Sequence, residues 1–194
     1  MIVYKIGEKI YINLTNKCSN ACTFCVRNNS SFYSGYGLWL EKEPTVEEVK
    51  EALKDYLSYE EFVFCGYGEP LYRADAIREI GLYLKSCGKK VRVNTNGQAD
   101  LIAGKGVAEK FAGAVDTVSI SLNETNAADY QKLCRCRFGE EGFYSMLRFA
   151  KECKEAGLRV ILSIVDVIGE EKIALAEKIA ERVGAELRVR ALIK

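Results

Sequence analysis

The chain has 194 residues, 48% hydrophobic and 28% charged, with 28 Lys and Arg against 27 Asp and Glu and no histidine. That length suits one domain, 1–194, with a sizeable core, and the composition is globular rather than disordered or coiled-coil. A net charge of +1 supplies no global field toward nucleic acid or an anionic membrane, so neither is an expected partner.

The opening MIVYKIGEKIYINL carries Lys5, Glu8 and Lys9 where a signal peptide needs an unbroken apolar core. The most apolar later run, Val160 to Ile168, is interrupted by Ser163 and Asp166. The expectation is a cytoplasmic protein without a membrane span. Its eight cysteines then read as metal ligands or catalytic groups, because that compartment keeps thiols reduced.

In chain order, a first strand spans Lys9 to Thr15 and runs into TNKCSNACTFCVRN, where Cys18, Cys22 and Cys25 cluster. Tyr36 and Trp39 follow in a Gly-rich stretch and either cover a ligand or simply pack. Pro44 and the capping box Thr45-Val46-Glu47-Glu48 open a helix to about Leu57. Strand Glu61 to Gly66 enters GYGEP, and a helix from Ala74 to Cys87 stops at Gly88. Strands Lys90 to Thr95, Asp116 to Leu122, Arg159 to Val167 and Glu186 to Ile193 alternate with helices over Gly104 to Ala112, Phe143 to Ala156 and Glu171 to Val183.

Six strands with intervening helices predict an α/β fold of parallel βαβ units, a partial (β/α)6 TIM-like barrel, with a doubly wound sheet as the second choice. Chemistry then belongs at the carboxyl ends of the strands. The three cysteines sit there. A structural zinc site wants four ligands and finds no histidine here, whereas a four-iron four-sulfur (4Fe-4S) cluster held by three thiolates keeps one iron open to a ligand that is not protein. In GYGEP, glycines allow close approach of backbone to a ligand and Glu69 offers an anion suited to an ammonium group, although such a stretch also makes a plain turn.

The spacing Cys-x-x-x-Cys-x-aromatic-Cys, with Phe24 as the aromatic, resembles the signature of radical S-adenosylmethionine (SAM) enzymes. The resemblance implies a minimal radical SAM core in which Cys18, Cys22 and Cys25 hold a 4Fe-4S cluster. Its open iron would chelate SAM, and reductive cleavage would give a 5'-deoxyadenosyl radical that abstracts hydrogen from substrate. Gly66, Tyr67, Gly68 and Glu69 are similar to the family's Gly-Gly-Glu-Pro motif, with Tyr67 in place of the first glycine, and would hold the SAM amino end. Asn96 in Asn94-Thr95-Asn96-Gly97, Ser121 and Asn123, and Ser163 with Asp166 match further strand-end positions of the cofactor pocket; each is otherwise a cap or turn residue.

Sequence runs including VFCGYGEP, VSISLN and LCRCRFGE resemble most the TatD-linked branch, over nearly the whole chain. That likeness implies a TatD-type hydrolase as a functional neighbour, while the radical SAM reading as a whole implies a flavodoxin or ferredoxin reductant and an unidentified small-molecule or protein substrate. The alternatives are a glycyl-radical-type activase of a partner protein, and a non-catalytic iron-sulfur or zinc module serving a hydrolase. Cys134 and Cys136 are too few for a second cluster, and Cys65, Cys87 and Cys153 read as small buried hydrophobes. Arg135 and Arg137 with Tyr130 bind an anionic substrate or form a loop salt bridge.

Overall fold

The structure is a computed structural model that describes residues 1–28 and 32–191. Strands β1 (Val3–Ile6) and β2 (Lys9–Ile12) form an antiparallel hairpin turned at Gly7, with Val3 opposite Ile12. A short hairpin of β3 (Phe32–Tyr33) and β4 (Tyr36–Gly37) precedes α1 (Val46–Leu53) and β5 (Glu61–Phe64). Then come α2 (Ala74–Ser86), β6 (Lys90–Thr95), α3 (Ala99–Ile102), α4 (Val107–Phe111), β7 (Thr117–Ser121), α5 (Ala127–Cys134), α6 (Glu141–Glu155), β8 (Arg159–Val165), α7 (Glu170–Val183) and β9 (Glu186–Arg190).

The main sheet runs β1-β2-β5-β6-β7-β8-β9, every pair parallel except β1 with β2. The six expected parallel strands are present, and the count is corrected to seven by β1. The first expected strand, Lys9 to Thr15, is seen as β2, and the residues before it form β1 by pairing back across Gly7. The last strand is seen to Arg190; Leu192 and Ile193 lie outside the described residues. The helix expected over Gly104 to Ala112 is reduced to α4, with α3 before it, because Gly104 and Gly106 adopt left-handed φ of +85° and +81° between them. Helix α5 was not expected; Asn126 caps it by accepting from the Asp129 amide at 2.9 Å, and its last turn absorbs the Leu133-Cys134 half of the LCRC run.

Strand alternation decides which side carries chemistry. Phe62 and Phe64, Val91 and Val93, Val118 and Ile120, and Val160, Leu162 and Ile164 are buried in one hydrophobic core with apolar residues of the helices. The residues out of phase with them, such as Cys65, Arg92, Asn94, Ser119, Ser121 and Ser163, line a cavity on the other face. Among the described residues no helix is long and apolar enough to cross a membrane.

The capping box on α1 is complete: Thr45 Oγ1 accepts from the Glu48 amide at 3.1 Å, and Glu48 Oε2 accepts from the Thr45 amide at 2.8 Å. Thr45→Ala should lower stability by about 1 kcal/mol, read as a shift in urea midpoint with an unchanged slope.

Candidate functional site

A cavity of about 690 Å³ opens at the carboxyl ends of the parallel strands. Twelve of the residues singled out from the sequence line it: Cys18, Cys22, Cys25, Phe24, Gly66, Tyr67, Gly68, Glu69, Asn96, Ser121, Asn123 and Ser163.

The cysteine loop is pinned from three directions by groups outside itself. Gln98, just past β6, accepts from Ser19 Oγ at 2.7 Å and donates to Asn20 Oδ1 at 2.9 Å. The carboxyl end of α5 accepts from the loop on both sides of Cys22, Ala21 N to Cys134 O and Thr23 N to Leu133 O, each at 3.0 Å. The Lys17 carbonyl accepts from the Glu69 amide at 2.7 Å, and Arg27 reaches the Asn20 and Tyr67 carbonyls at 3.1 and 3.4 Å. Gly68 is required where these loops meet, since a Cβ there would stand 2.2 Å from the Thr15 carbonyl oxygen.

Burial pushes the Cys18 thiol up to about 12, with the Glu69 carboxylate adding to the effect. The Cys22 thiol is raised too, first by its hydrogen bond with the Cys134 thiol and then by burial. Sulfurs so placed become thiolates when a cation binds them. Among the described residues no three Cys, Asp or Glu side chains gather as ligands of one ion. A cubane asks for something different, since each thiolate binds its own corner iron and the sulfurs stand farther apart.

Glu69 is 3% exposed and organises the strand ends around it. Its Oε1 accepts from the Leu71 amide at 2.9 Å and from Thr95 Oγ1 at 2.6 Å, and its Oε2 from the Asn96 amide at 2.7 Å. Burial outweighs these donors and raises the carboxyl pKa to about 7. Two carboxylate oxygens can accept about four hydrogen bonds, so one lone pair remains for a ligand.

The neighbouring strand ends are polar and partly unsatisfied. Asn123, in a left-handed conformation at φ +59°, donates from Nδ2 to Cys134 Sγ at 3.5 Å, and its Oδ1 is buried without a partner. Asn94 Oδ1 on the same wall is likewise buried and unpartnered. Ser163 donates to the Ile120 carbonyl at 3.4 Å and Asn96 to Ser19 Oγ at 2.8 Å.

Several expectations need correction. Asp166 is exposed beyond β8 and is not among the cavity-lining residues. Cys65 is in the cavity wall and not a core filler, because it is in phase with Glu61 and Val63. Arg135 and Arg137 are exposed and away from the cavity, Arg137 lying over the Phe138 ring, while the buried Tyr130 hydroxyl accepts from Gln98 at 2.8 Å and Asn20 at 3.1 Å. Trp39 packs edge-on against Tyr67 and Tyr36 against Tyr4. The sequence reading missed Asn20, Gln98 and the basic wall formed by Lys9, Arg92, Arg188 and Arg190. Period-two counting from the apolar strand positions would have found the basic residues; Asn20 and Gln98 sit in loops without a period.

The family model of the Radical SAM superfamily matches residues 12–183. The chain belongs to the radical SAM superfamily. It is 29% identical over 139 residues to a protein of Methanocaldococcus jannaschii with the provisional name glycyl-radical enzyme activating enzyme MJ1227, a match covering 71% of this chain and 53% of that one. The chain thus spans about half the length of that relative. Its fold matches Streptococcus suis SuiB bound to S-adenosylmethionine at TM-score 0.72 and 17% identity, over 95% of this chain and 40% of SuiB. SuiB bound to its precursor peptide SuiA matches at TM-score 0.72 and 16% identity, over 98% and 40% of the two chains. The methyltransferase TsrM of Kitasatospora setae, with cobalamin and a [4Fe-4S] cluster bound, matches at TM-score 0.61 and 13% identity, over 94% and 36%.

In this radical SAM chain the raised Glu69 pKa has a consequence for stability. Between its ordinary value of 4.5 and about 7, the folded protein keeps a proton that the unfolded chain has released. Stability therefore falls as pH rises through that window and levels off above it, by on the order of 1–3 kcal/mol. Urea unfolding from about pH 5 to about pH 8 should show this slope in the native protein and lose it in Glu69→Gln, whatever that variant's absolute stability.

Proposed function

We propose that the chain is a radical SAM enzyme in which Cys18, Cys22 and Cys25 hold a 4Fe-4S cluster and the cavity beside them holds SAM. The observation that carries this reading is one cavity lined at once by three thiols, the Gly66 to Gly68 backbone, the buried Glu69 carboxylate and two unsatisfied asparagine oxygens. Three soft sulfur donors suit iron in a cluster, and the polar wall suits an amino acid and a ribose. Bound together, cluster and SAM supply a 5'-deoxyadenosyl radical that takes hydrogen from a substrate. The chain's residues do the rest. Glu69 and the adjacent backbone carbonyls receive the SAM ammonium, Asn96, Ser121, Asn123 and Ser163 border the carboxylate and ribose, and Phe24 and Tyr67 shield them from water.

Electrons come from a flavodoxin or ferredoxin, and a TatD-type hydrolase is the functional neighbour implied by the TatD-linked resemblance. A second reading, activation of a partner polypeptide by making a glycyl radical, is favoured by the Methanocaldococcus relative's name. Hydrogen taken from a polypeptide backbone would leave the radical on the partner, whereas hydrogen taken from a small molecule would leave a free product.

Anaerobically reconstituted protein should hold about four irons per chain and release 5'-deoxyadenosine from SAM with dithionite. Alanine at Cys18, Cys22 or Cys25 should abolish both, while Cys87→Ala should keep both. About one zinc per chain with SAM left intact would establish the zinc-module alternative instead.

Gly68→Ala should retain iron yet bind SAM about tenfold or more weakly, since displacing the loop leaves a buried polar pair unmade at on the order of 1–3 kcal/mol. Equilibrium dialysis of SAM against wild type and variant checks this, and equal affinities would remove the backbone of this loop from the SAM site.

A further inference from the structure

We propose that Arg92, Arg188 and Arg190 form an oxyanion subsite for the substrate, which carries a carboxylate or phosphate group. The assignment to substrate rests on the reading above, in which cluster and SAM fill the side of the cavity bounded by Cys18, Glu69 and Asn123.

Charge in the cavity is divided between its two sides. The lining holds four cationic side chains, Lys9, Arg92, Arg188 and Arg190, against one acid, Glu69. Glu69 belongs to the side of the cysteine loop, where its amide donates to the Lys17 carbonyl at 2.7 Å. The arginines of β9 lie past the serines: strand register sets Ser121 beside Ser163, Ser163 beside Arg188, and Val165 beside Arg190. Residues two apart on a strand share a face and stand about 7 Å from each other. Arg188 and Arg190 therefore offer two guanidinium groups to the same space.

Arg92 is the residue that points to a ligand. It stands on β6, is 9% exposed, and lines the cavity. Its Nη1 is 3.1 Å from Glu61, but that carboxylate is shared with Lys9 at 2.6 Å, so one negative charge serves two positive ones. Arg92 Nε is buried without a hydrogen-bond partner among the described residues. Burying a donor unpaired is costly. An oxyanion completes it, because a guanidinium binds carboxylate or phosphate through two parallel N–H donors. Arg92 and Arg190 converge on one place, since both lie close enough to the Cys65 thiol to favour its ionised form. Basic residues on an edge strand ordinarily guard it against pairing with another chain. That role suits β9, which ends the sheet, and leaves Arg92 unexplained three strands further in.

The test is isothermal titration calorimetry of inorganic phosphate and of succinate into the full chain, anaerobically reconstituted and with SAM bound, at an ionic strength held constant with chloride. At least one of the two anions should bind saturably. Arg92→Gln and Arg188→Gln should each bind it about tenfold or more weakly. Arg92→Lys, which keeps the charge and loses the fork, should fall between wild type and Arg92→Gln. Arg78→Gln, on the exposed side of α2 and away from the cavity, should bind as wild type does. SAM affinity, read by equilibrium dialysis, should be unchanged in all four variants. Saturable binding of neither anion to wild type that holds iron and SAM would overturn the subsite and leave the radical SAM reading standing. Wild-type anion affinity in folded Arg92→Gln and Arg188→Gln would also overturn it. A loss of SAM affinity as large as the loss of anion affinity would make these arginines partners of the SAM carboxylate and overturn the assignment to substrate. A native chain that takes up neither iron nor SAM would instead remove the reading beneath the proposal, and the assignment to substrate with it.

Discussion

The side chain of Gln98 is fully buried, and its amide ties together three segments that share no secondary structure. Nε2 donates to Asn20 Oδ1 and Tyr130 Oη, and Oε1 accepts from Ser19 Oγ. Its own backbone amide donates to Asn96 Oδ1 at 3.1 Å. The cysteine loop, the turn after β6 and α5 therefore meet through one residue. A buried amide left without partners costs on the order of 1–3 kcal/mol, so any of these segments that moved away would strand the others. That penalty makes a loop without regular structure as well placed as a strand, and a fixed geometry is what three separated thiols need to grip one polyhedral group.

The same economy of partners explains why the inner face of the sheet can be polar. Arg92 is in the wall of the cavity with its Nη1 3.1 Å from Glu61, which also pairs with Lys9 at 2.6 Å. One carboxylate at the amino end of β5 thus supports two cations at the base of the cavity. Higher up, neutral Asn94, Ser119, Ser121 and Ser163 replace charge, and the unsatisfied oxygens of Asn94 and Asn123 fall in this zone. Orphaned buried acceptors are rare in folded chains because they are costly, and they accumulate where a ligand's donors complete them. The outer face contributes the stabilising burial, with Phe62, Phe64, Ile120 and Leu162 inside the hydrophobic core.

The legible part of this molecule was the part governed by a period or by a motif. Period-two alternation marked six strands, and the motifs that resemble the radical SAM family pointed to twelve of the residues that line the cavity. What stayed hidden depended on partners distant in sequence. Strand β1 is defined by its antiparallel pairing with β2, from Val3 opposite Ile12 to Ile6 opposite Lys9, and α5 is short, its apolar face completed by α6 through Tyr130 against Phe143. Cys134 resembled half of a metal pair in the sequence, yet its neighbours are Asn123 and Cys22, and only the fold brings those to it. Glu69 presented itself as a ligand for an ammonium, whereas three donors from Leu71, Thr95 and Asn96 already occupy most of its capacity.

Taken together, the titratable groups of the cavity share one electrostatic condition. Burial raises Cys18, Cys65 and Glu69, and the Cys134 side chain followed by burial raises Cys22, so each is biased toward its neutral form. Arg27 near Cys18 and Cys22, and Arg92 and Arg190 near Cys65, offset part of this effect without cancelling it, so ionising these groups is unfavourable in the folded chain taken alone. On the proposed reading the cofactors reverse this, since iron supplies the cation for the thiols and the ammonium of SAM supplies one for Glu69. Binding then releases protons and adds its free energy to folding. The two occupants are also coupled, because Glu69 raises the Cys18 pKa through space, and a cation beside either group eases ionisation of the other. A site built this way favours its two cationic occupants together over either one alone.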